Sequence, residues 1–434
     1  VNVVRHSVLR VSKNALARLF AQVGARLLSL VLVAMVARYE SAAGLGRYVL
    51  ILTVVGFAGA LTDLGLNVFL TREVARESER QRQSELLGRV LPLKLGLSAL
   101  GLAGLAAIAL FAPVPEEVAR LLALGGLLLM PEAAMGAMRA FINGCQRMEM
   151  SGTIDVAVRL MAVTASLPLL NVGFGVVGVL AATLGAGWVG VLLYRLVLWH
   201  WRTAPRWRWA PAAWRVDLSQ SYPFALTSIA AMVYARVDLL LLGLWQGEVA
   251  AGLYGAAYKL WEAVGLLPAS LTEALFPEMS RLTSSQDGRR RLSTLFRTAT
   301  RLLLAVGLVL AAAGVLAAGI LVPLIFGAED DYAPAVLPFR LLVCGLPAMF
   351  LYLLCGYTLY SLDRQRRVTA AMLAVGLVNV VLNLYAIPRW SYVGAAAVAL
   401  FSEWLLLALL YPQARWALAA SGPPYPSPLE TIGN

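Results

Sequence analysis

The sequence predicts an all-α polytopic membrane protein of about twelve transmembrane helices, built as two six-helix lobes in parallel repeat. Three observations predict it. The 434 residues are 60% hydrophobic and only 14% charged, whereas soluble domains average about 45–50% apolar and about 25% charged residues. Long apolar runs recur along the chain, and twelve helices of about 20 apolar residues each would use roughly 240–280 of them. The connections between the runs alternate between basic and acidic or neutral. This composition excludes an ordinary soluble enzyme, a nucleic-acid-binding domain and a disulfide scaffold.

The runs fall at about 14–38, 45–70, 88–112, 118–142, 153–170, 173–200, 220–245, 249–275, 298–326, 333–360, 368–388 and 391–412. The first follows Arg5, Arg10 and Lys13, as a signal peptide's hydrophobic region would. Its length and its internal Arg18 and Arg26 instead indicate a retained helix, because signal-peptide cores are shorter, about 7–15 residues, and uncharged. The fifth and sixth runs are separated by a tight turn at Asn171 and Val172, with Gly173 and Gly175 following.

One set of connections is basic: the amino tail, 71–89, 144–152, 201–217, 276–297, 361–367 and the carboxyl tail with Arg415. The other set is short and acidic or neutral, with Glu40, Glu116 and Glu117, Glu248, and Glu329 to Asp331, plus the turn from Pro388 to Ser391. The positive-inside rule places the first set, and hence both termini, in the cytoplasm. Most of the net charge of +12 is then explained by orientation. The expected organisation is an N-lobe over 1–200, a cytoplasmic interfacial linker over 201–217, a C-lobe over 218–412 and a cytoplasmic tail over 413–434. The segment 199–215, which leads into and spans most of the linker, alternates Trp199, Trp201, Trp207, Trp209 and Trp214 with arginines, a pattern suited to a membrane boundary. The cysteines Cys145, Cys344 and Cys355 form no metal or disulfide pattern, and no cofactor or metal is expected.

The two halves echo one another. Glu40-Ser-Ala-Ala-Gly-Leu45 is answered by Glu248-Val-Ala-Ala-Gly-Leu253, Leu61-Thr62-Asp63 by Leu271-Thr272-Glu273, and Ala25-Arg26 by Ala235-Arg236. Each half holds an even number of spans, so the halves share one orientation about an axis along the membrane normal.

A charge at mid-bilayer costs about 2.5–3.5 kcal/mol on insertion scales, so charges within the runs are the candidate functional residues. Arg26 and its repeat mate Arg236 lie near mid-span. Arg18 lies two turns closer to the cytoplasm and about 80° round the helix from Arg26. Two readings stand for these three: interhelical ion pairs that fix packing, or a cationic, water-filled cavity between the halves. The symmetry of the arginine pair favours the cavity, and guanidinium forks suit bidentate phosphate binding. Arg159 is a fourth candidate, although its spacing from Asp155 suits an i,i+4 pair. Lys259 and Glu262 are placed to neutralise one another. Glu132 and Glu403, and the repeat-related acids Asp63 and Glu273, are candidates for ion coupling. Asn379 and Asn383 form a polar stripe.

Arg236-Val-Asp238, Leu242-Gly243 and Gly252-Leu-Tyr254-Gly-Ala-Ala-Tyr258, together with Ser12-Lys-Asn14 and Gly44-Leu-Gly46-Arg-Tyr48, resemble the hallmark segments of polysaccharide-biosynthesis flippases. These are the Wzx-like members of the multidrug/oligosaccharidyl-lipid/polysaccharide exporter superfamily, which also holds the multidrug exporters of MATE type. The resemblance covers nearly the whole chain in topology and the residue motifs of the first, second, seventh and eighth runs. It implies a V-shaped pair of six-helix lobes in the bacterial cytoplasmic (inner) membrane. It further implies alternating-access movement of an undecaprenyl-diphosphate-linked oligosaccharide (an O-antigen, capsule or exopolysaccharide unit) to the outer leaflet, a transporter and not an enzyme. Proton or sodium coupling and contact with the glycosyltransferase and polymerase machinery belong to the same expectation. The rival readings are a cation-coupled multidrug exporter, a lipid II flippase and a membrane glycan polymerase or ligase. The last needs a sizeable outer loop, and none is predicted. No G-x-x-x-x-G-K-[ST] motif occurs, so ATP hydrolysis is not expected of the chain.

Overall fold

The computed structural model describes residues 23–113, 115–203, 207–284, 286–327 and 330–419. Among them every regular element is helical. A helix over 23–39 (α1) is followed by α2 (Ala42–Asp63), α3 (Leu66–Arg76), α4 (Arg80–Phe111), α5 (Glu116–Gly126), α6 (Leu129–Gly144), α7 (Met148–Asn171) and α8 (Gly175–His200). Then come α9 (Pro211–Val264), α10 (Leu266–Arg281), α11 (Gln286–Phe326), α12 (Val336–Val343), α13 (Leu346–Ser361) and α14 (Gln365–Ala419). Nine helical stretches among the described residues are long and apolar enough to cross a bilayer.

Two of those nine are double. At 1.5 Å per residue, a helix of 54 or 55 residues would be about 80 Å long, against a hydrocarbon core of about 30 Å. Each is broken once: α9 at Gly247 (φ 84°, ψ −177°) and α14 at Ser391 (φ 49°, ψ −135°). These breaks coincide with the short outer turns expected at Glu248 and at Pro388 to Ser391. Counting both halves of each, and α1, gives the expected twelve spans. A residue side chain at Gly247 would meet nothing within 4 Å, so glycine is needed there for its backbone conformation and not for space. Gly173 (φ 89°) and Gly175 (φ 54°) make the tight turn between α7 and α8. On α11, Leu316, Ile320 and Leu324 are all exposed. Their i,i+4 spacing makes one apolar stripe, as expected of a face turned to lipid.

The chain divides into two compact units between Ala256 and Ala257. The first holds α1 to α8 and most of α9. Its core joins Phe69 and Leu70 of α3, Leu87 and Val90 of α4, Phe141 of α6, and Tyr194 and Leu198 of α8. Within this unit the two copies of the repeated Ala-Ala-Gly-Leu motif lie against each other. A Cβ on Gly46 would sit 1.8 Å from the Glu248 carbonyl oxygen, and one on Gly252 would sit 2.0 Å from that of Ala42. Only glycine allows such a backbone approach, the usual way helices associate in lipid. Arg47, beside this contact, pairs with Glu117 and, at 3.4 Å, with Glu248.

The segment after α8 is anchored on the start of α4, and the anchor follows from a proline. Pro92 lacks an N–H and so leaves the Gly88 carbonyl without its helical donor. The Arg208 backbone N–H donates to that carbonyl at 3.1 Å. Next to it, the Trp214 indole donates to the Arg89 carbonyl at 2.9 Å, and Arg89 pairs with the buried Asp217 at 2.6 Å. Trp199, Trp207 and Trp209 remain exposed, as interfacial anchors would be.

In the second unit a buried polar chain crosses the bundle. Asn383 donates to Asn379 at 3.0 Å, and Asn379 donates to Ser402 at 2.9 Å. The predicted polar stripe therefore does structural work, linking both halves of α14.

Candidate functional site

The first unit holds a half-open cavity of about 690 Å³. Its walls come from seven helices: Leu28 and Leu32 of α1, Tyr48 and Asp63 of α2, Asn67 of α3, Lys94 of α4, Glu132 and Arg139 of α6, Asp155 and Arg159 of α7, and Gly187 of α8. The charged groups gather toward the end of each span that leads into a basic connection.

Local backbone geometry aims Asp63 into this space. Helix α2 stops there because Leu64 (φ 46°) and Gly65 (φ 74°) are both left-handed. A side chain on Gly65 would press on Ala225 N at 2.5 Å. The Asp63 carboxylate lies 2.7 Å from Lys94 Nζ, which also donates to Asn67 Oδ1 at 2.5 Å. Lys94 is 2% exposed. An ammonium so far out of water requires such partners, because desolvation costs several kcal/mol per ion, in round order of magnitude.

A second cluster lines the same cavity. Arg139 Nε is 2.9 Å from Asp155, and its Nη1 is 3.3 Å from Glu132. The buried Tyr194 hydroxyl donates to Asp155 Oδ1 at 2.9 Å. The i,i+4 pairing expected between Asp155 and Arg159 is therefore not made. Asp155 turns to Arg139 on the neighbouring helix, and Arg159 lines the cavity with no carboxylate within ion-pair distance among the described residues. Three cations and three carboxylates line the space, so its formal charge balances, and Arg159 is the cation left over from the pairing.

The other candidate residues are dispersed. Arg26 is exposed, but it is not part of the cavity wall, which takes Ala25, Leu28 and Leu32 from α1. At 100° per residue Arg26 points about 130° away from that face. Arg236 is half-buried on α9. Its neighbour Asp238 is buried and accepts from the Tyr254 hydroxyl. Arg18 and the side chain of Glu273 lie outside the described residues. Glu403 is buried in the second unit, hydrogen-bonded to Tyr352, with Oε2 unpartnered. Lys259 and Glu262 pair at 2.8 Å as expected.

Residue-level reading of the sequence passed over Lys94, Arg139, Asn67 and Tyr194. A signal for Lys94 was present. It is one of only three lysines in the chain and stands inside an apolar run, so the rule that singled out Arg26 applies to it equally.

Residues 11–283 match the sequence profile of the polysaccharide biosynthesis proteins, and residues 157–423 match that of the lipid II flippase MurJ. The chain belongs to the polysaccharide biosynthesis protein and MurJ families. The resemblance carried by the first, second, seventh and eighth runs thus holds, and the protein is a multi-pass membrane protein of the Wzx-like group. It is 25% identical over 278 residues to "Probable flippase AglR" of Haloferax volcanii, covering 60% of this chain and 54% of that one. The match therefore spans about half of that relative's length. In fold it is similar to the lipid II flippase MurJ in an inward closed conformation (TM-score 0.70, 14% identity, 92% of this chain and 88% of that one). It is similar also to an inward-facing multidrug resistance transporter of the MATE family (TM-score 0.67, 16% identity, 93% and 98%).

Proposed function

We propose that the protein is an alternating-access flippase that carries a polyprenyl-diphosphate-linked oligosaccharide from the inner to the outer leaflet of the bacterial cytoplasmic membrane. Its termini and basic connections face the cytoplasm. Lobes over 1–200 and 218–412 move against each other about the 201–217 linker. The observation that carries the reading is the ion-paired cavity of the first unit in a chain of these two families, with Arg159 as its spare guanidinium.

Arg159 meets the diphosphate in the cavity; Arg26, which faces away from the cavity wall in this conformation, and Arg236 join the site only in another arrangement of the helices, with Arg18 guiding the diphosphate from the cytoplasmic side, while the polyprenyl tail stays in lipid. Arginine suits this task because its planar fork meets two phosphate oxygens at once and never loses its charge. Coupling uses the carboxylates. A proton or sodium ion on Asp63 displaces Lys94 from its partner and leaves an ammonium that must find another anion or water. In a low-dielectric interior an uncompensated charge is costly, so the helices holding the pair are driven to a different arrangement. Glu132 competes in the same way for Arg139, and Glu403 and Glu273 are the corresponding acids of the second half.

Single replacement of Arg26, Arg236 or Arg159 by Ala should abolish glycan export while the protein still inserts. Polyprenyl-linked glycan should then accumulate in extracted lipid. Normal export in all three variants would overturn the diphosphate assignment. The profile match over 157–423 favours a lipid II flippase as the second reading. Depletion separates the two: accumulation of lipid II with cell lysis supports it, and accumulation of another polyprenyl-linked glycan in viable cells supports the first.

A further inference from the structure

Three of the basic connections converge on one pocket. It has a volume of about 290 Å³ and shares no lining residue with the large cavity. The stretch between α3 and α4 supplies Ser78, Arg80 and Gln83, the turn between α6 and α7 supplies Cys145 and Arg147, and the end of α8 leads into Trp201 and Thr203.

The charges around it are unevenly paired. Glu77 and Glu79 are both engaged by Arg82, at 3.9 and 3.0 Å. That leaves Arg80 with no carboxylate within 4.0 Å among the described residues. Arg147 has only Glu149, at 3.9 Å, and its guanidinium is set over the Trp201 ring at 5.9 Å from the centroid. Gln83 is locked by its amide, which donates to the Val74 and Glu77 carbonyls at 3.1 and 2.6 Å. Cys145 lines the same pocket as the two arginines. Burial pushes its thiol up, and Arg80 and Arg147 both pull against that push. Two under-paired guanidinium groups therefore line one half-open pocket, beside Trp201.

We propose that this pocket binds a phosphate-bearing group at the cytoplasmic surface, with Arg80 and Arg147 as its ligands. Forked guanidinium donors match phosphate oxygens, and basic pockets between transmembrane helices on the cytoplasmic side take phospholipid head groups. Ser78 and Thr203 line the same space, and Trp201 offers an apolar wall to a glycerol or acyl segment.

Cys145 makes the site readable. Full-length Cys344→Ser protein, in which Cys355 is fully buried, is placed in phosphatidylcholine nanodiscs and labelled with a maleimide. Two probes are compared: phosphatidylglycerol mixed into the disc, and inorganic phosphate added to the buffer. Rates are expressed with probe over without probe, so that changes in thiol reactivity between variants cancel. Protection by phosphatidylglycerol alone identifies a lipid head group, and protection by inorganic phosphate identifies a free phosphate group. Each arginine is worth about a fivefold change in affinity, so Arg80→Gln with Arg147→Gln should raise the half-protecting concentration about thirtyfold. Either single variant, at about fivefold, serves if the double variant does not fold. No protection by either probe, or protection unchanged in the arginine variants, would overturn the proposal.

Discussion

Replacing Lys94 with Met tests the ion pair that organises the cavity. Nζ lies 2.7 Å from Asp63 and 2.5 Å from Asn67 Oδ1. At 2.7 Å and an effective dielectric of about 20, the pair attracts by about 6 kcal/mol, most of it offset by desolvation. What the mutation exposes is the unpaired partner, and breaking a buried pair from one side costs about 3–5 kcal/mol. The Asp63 side chain is 19% exposed toward the cavity, against 3% for that of Lys94. Lys94→Met leaves the better hydrated carboxylate behind and should cost about 3 kcal/mol, the low end of that range. Asp63→Asn leaves the poorly hydrated ammonium and should cost nearer 4 kcal/mol. The double variant leaves no orphan charge, so it should be more stable than the sum of the singles by about 2 kcal/mol. The assay is thermal unfolding of detergent-purified protein followed by fluorescence-detected size exclusion, with the four proteins of the cycle compared at one scan rate. Strict additivity of the single effects would show that the two side chains do not sense each other and would refute the pairing argument.

Gly252→Ala places a methyl 2.0 Å from the Ala42 carbonyl oxygen and must move backbone. A loss of about 3 kcal/mol or failure to yield monodisperse protein is expected, whereas Gly96→Ala, with nothing within 4 Å, should be neutral or slightly stabilising. The Cys145 thiol is held above its ordinary range by burial, with Arg80 and Arg147 opposing. Thiolate therefore forms only at higher pH, and maleimide labelling should keep climbing beyond the pH at which a free thiol has levelled off. Removing either arginine should shift that curve to still higher pH, which a stopped-flow labelling series would read. Glu403→Gln removes a buried acid whose Oε2 has no partner. It should change stability by less than about 1 kcal/mol yet slow gradient-driven transport in proteoliposomes. The arginine variants described above complete the set, with export and extracted lipid as their readouts.

The spans and their breaks are legible in the sequence because both are local. A membrane helix announces itself by an uninterrupted apolar run, and Gly247, and Gly173 with Gly175, mark turns by the backbone freedom of glycine, while Ser391 follows the turn signal of Pro388. Asp155 shows where this reasoning ends. Helical spacing offered Arg159 as its partner, but Arg139 and Tyr194 on adjoining helices claim both of its oxygens. The periodicity of a helix identifies a face, and does not identify which other helix that face meets. Arg26 illustrates the same limit, since depth in the span could be read from its position while its bearing relative to the cavity could not.

Composition, charge alternation and the echo between halves were enough by themselves to determine the helical membrane fold and the number of spans, and the motifs of the first, second, seventh and eighth runs carried the kinship with flippases. Each depends on signals carried within about 20 residues or on direct similarity. Tertiary structure alone decided which charges share a space. Asp63, Lys94, Arg139 and Asp155 come from four different helices, and Arg80, Arg147 and Trp201 come from three separate connections. Pairing in a low-dielectric interior is settled by ångström-scale distances between segments far apart in the chain. The physical quantity that selects a partner therefore exists only once the helices are packed.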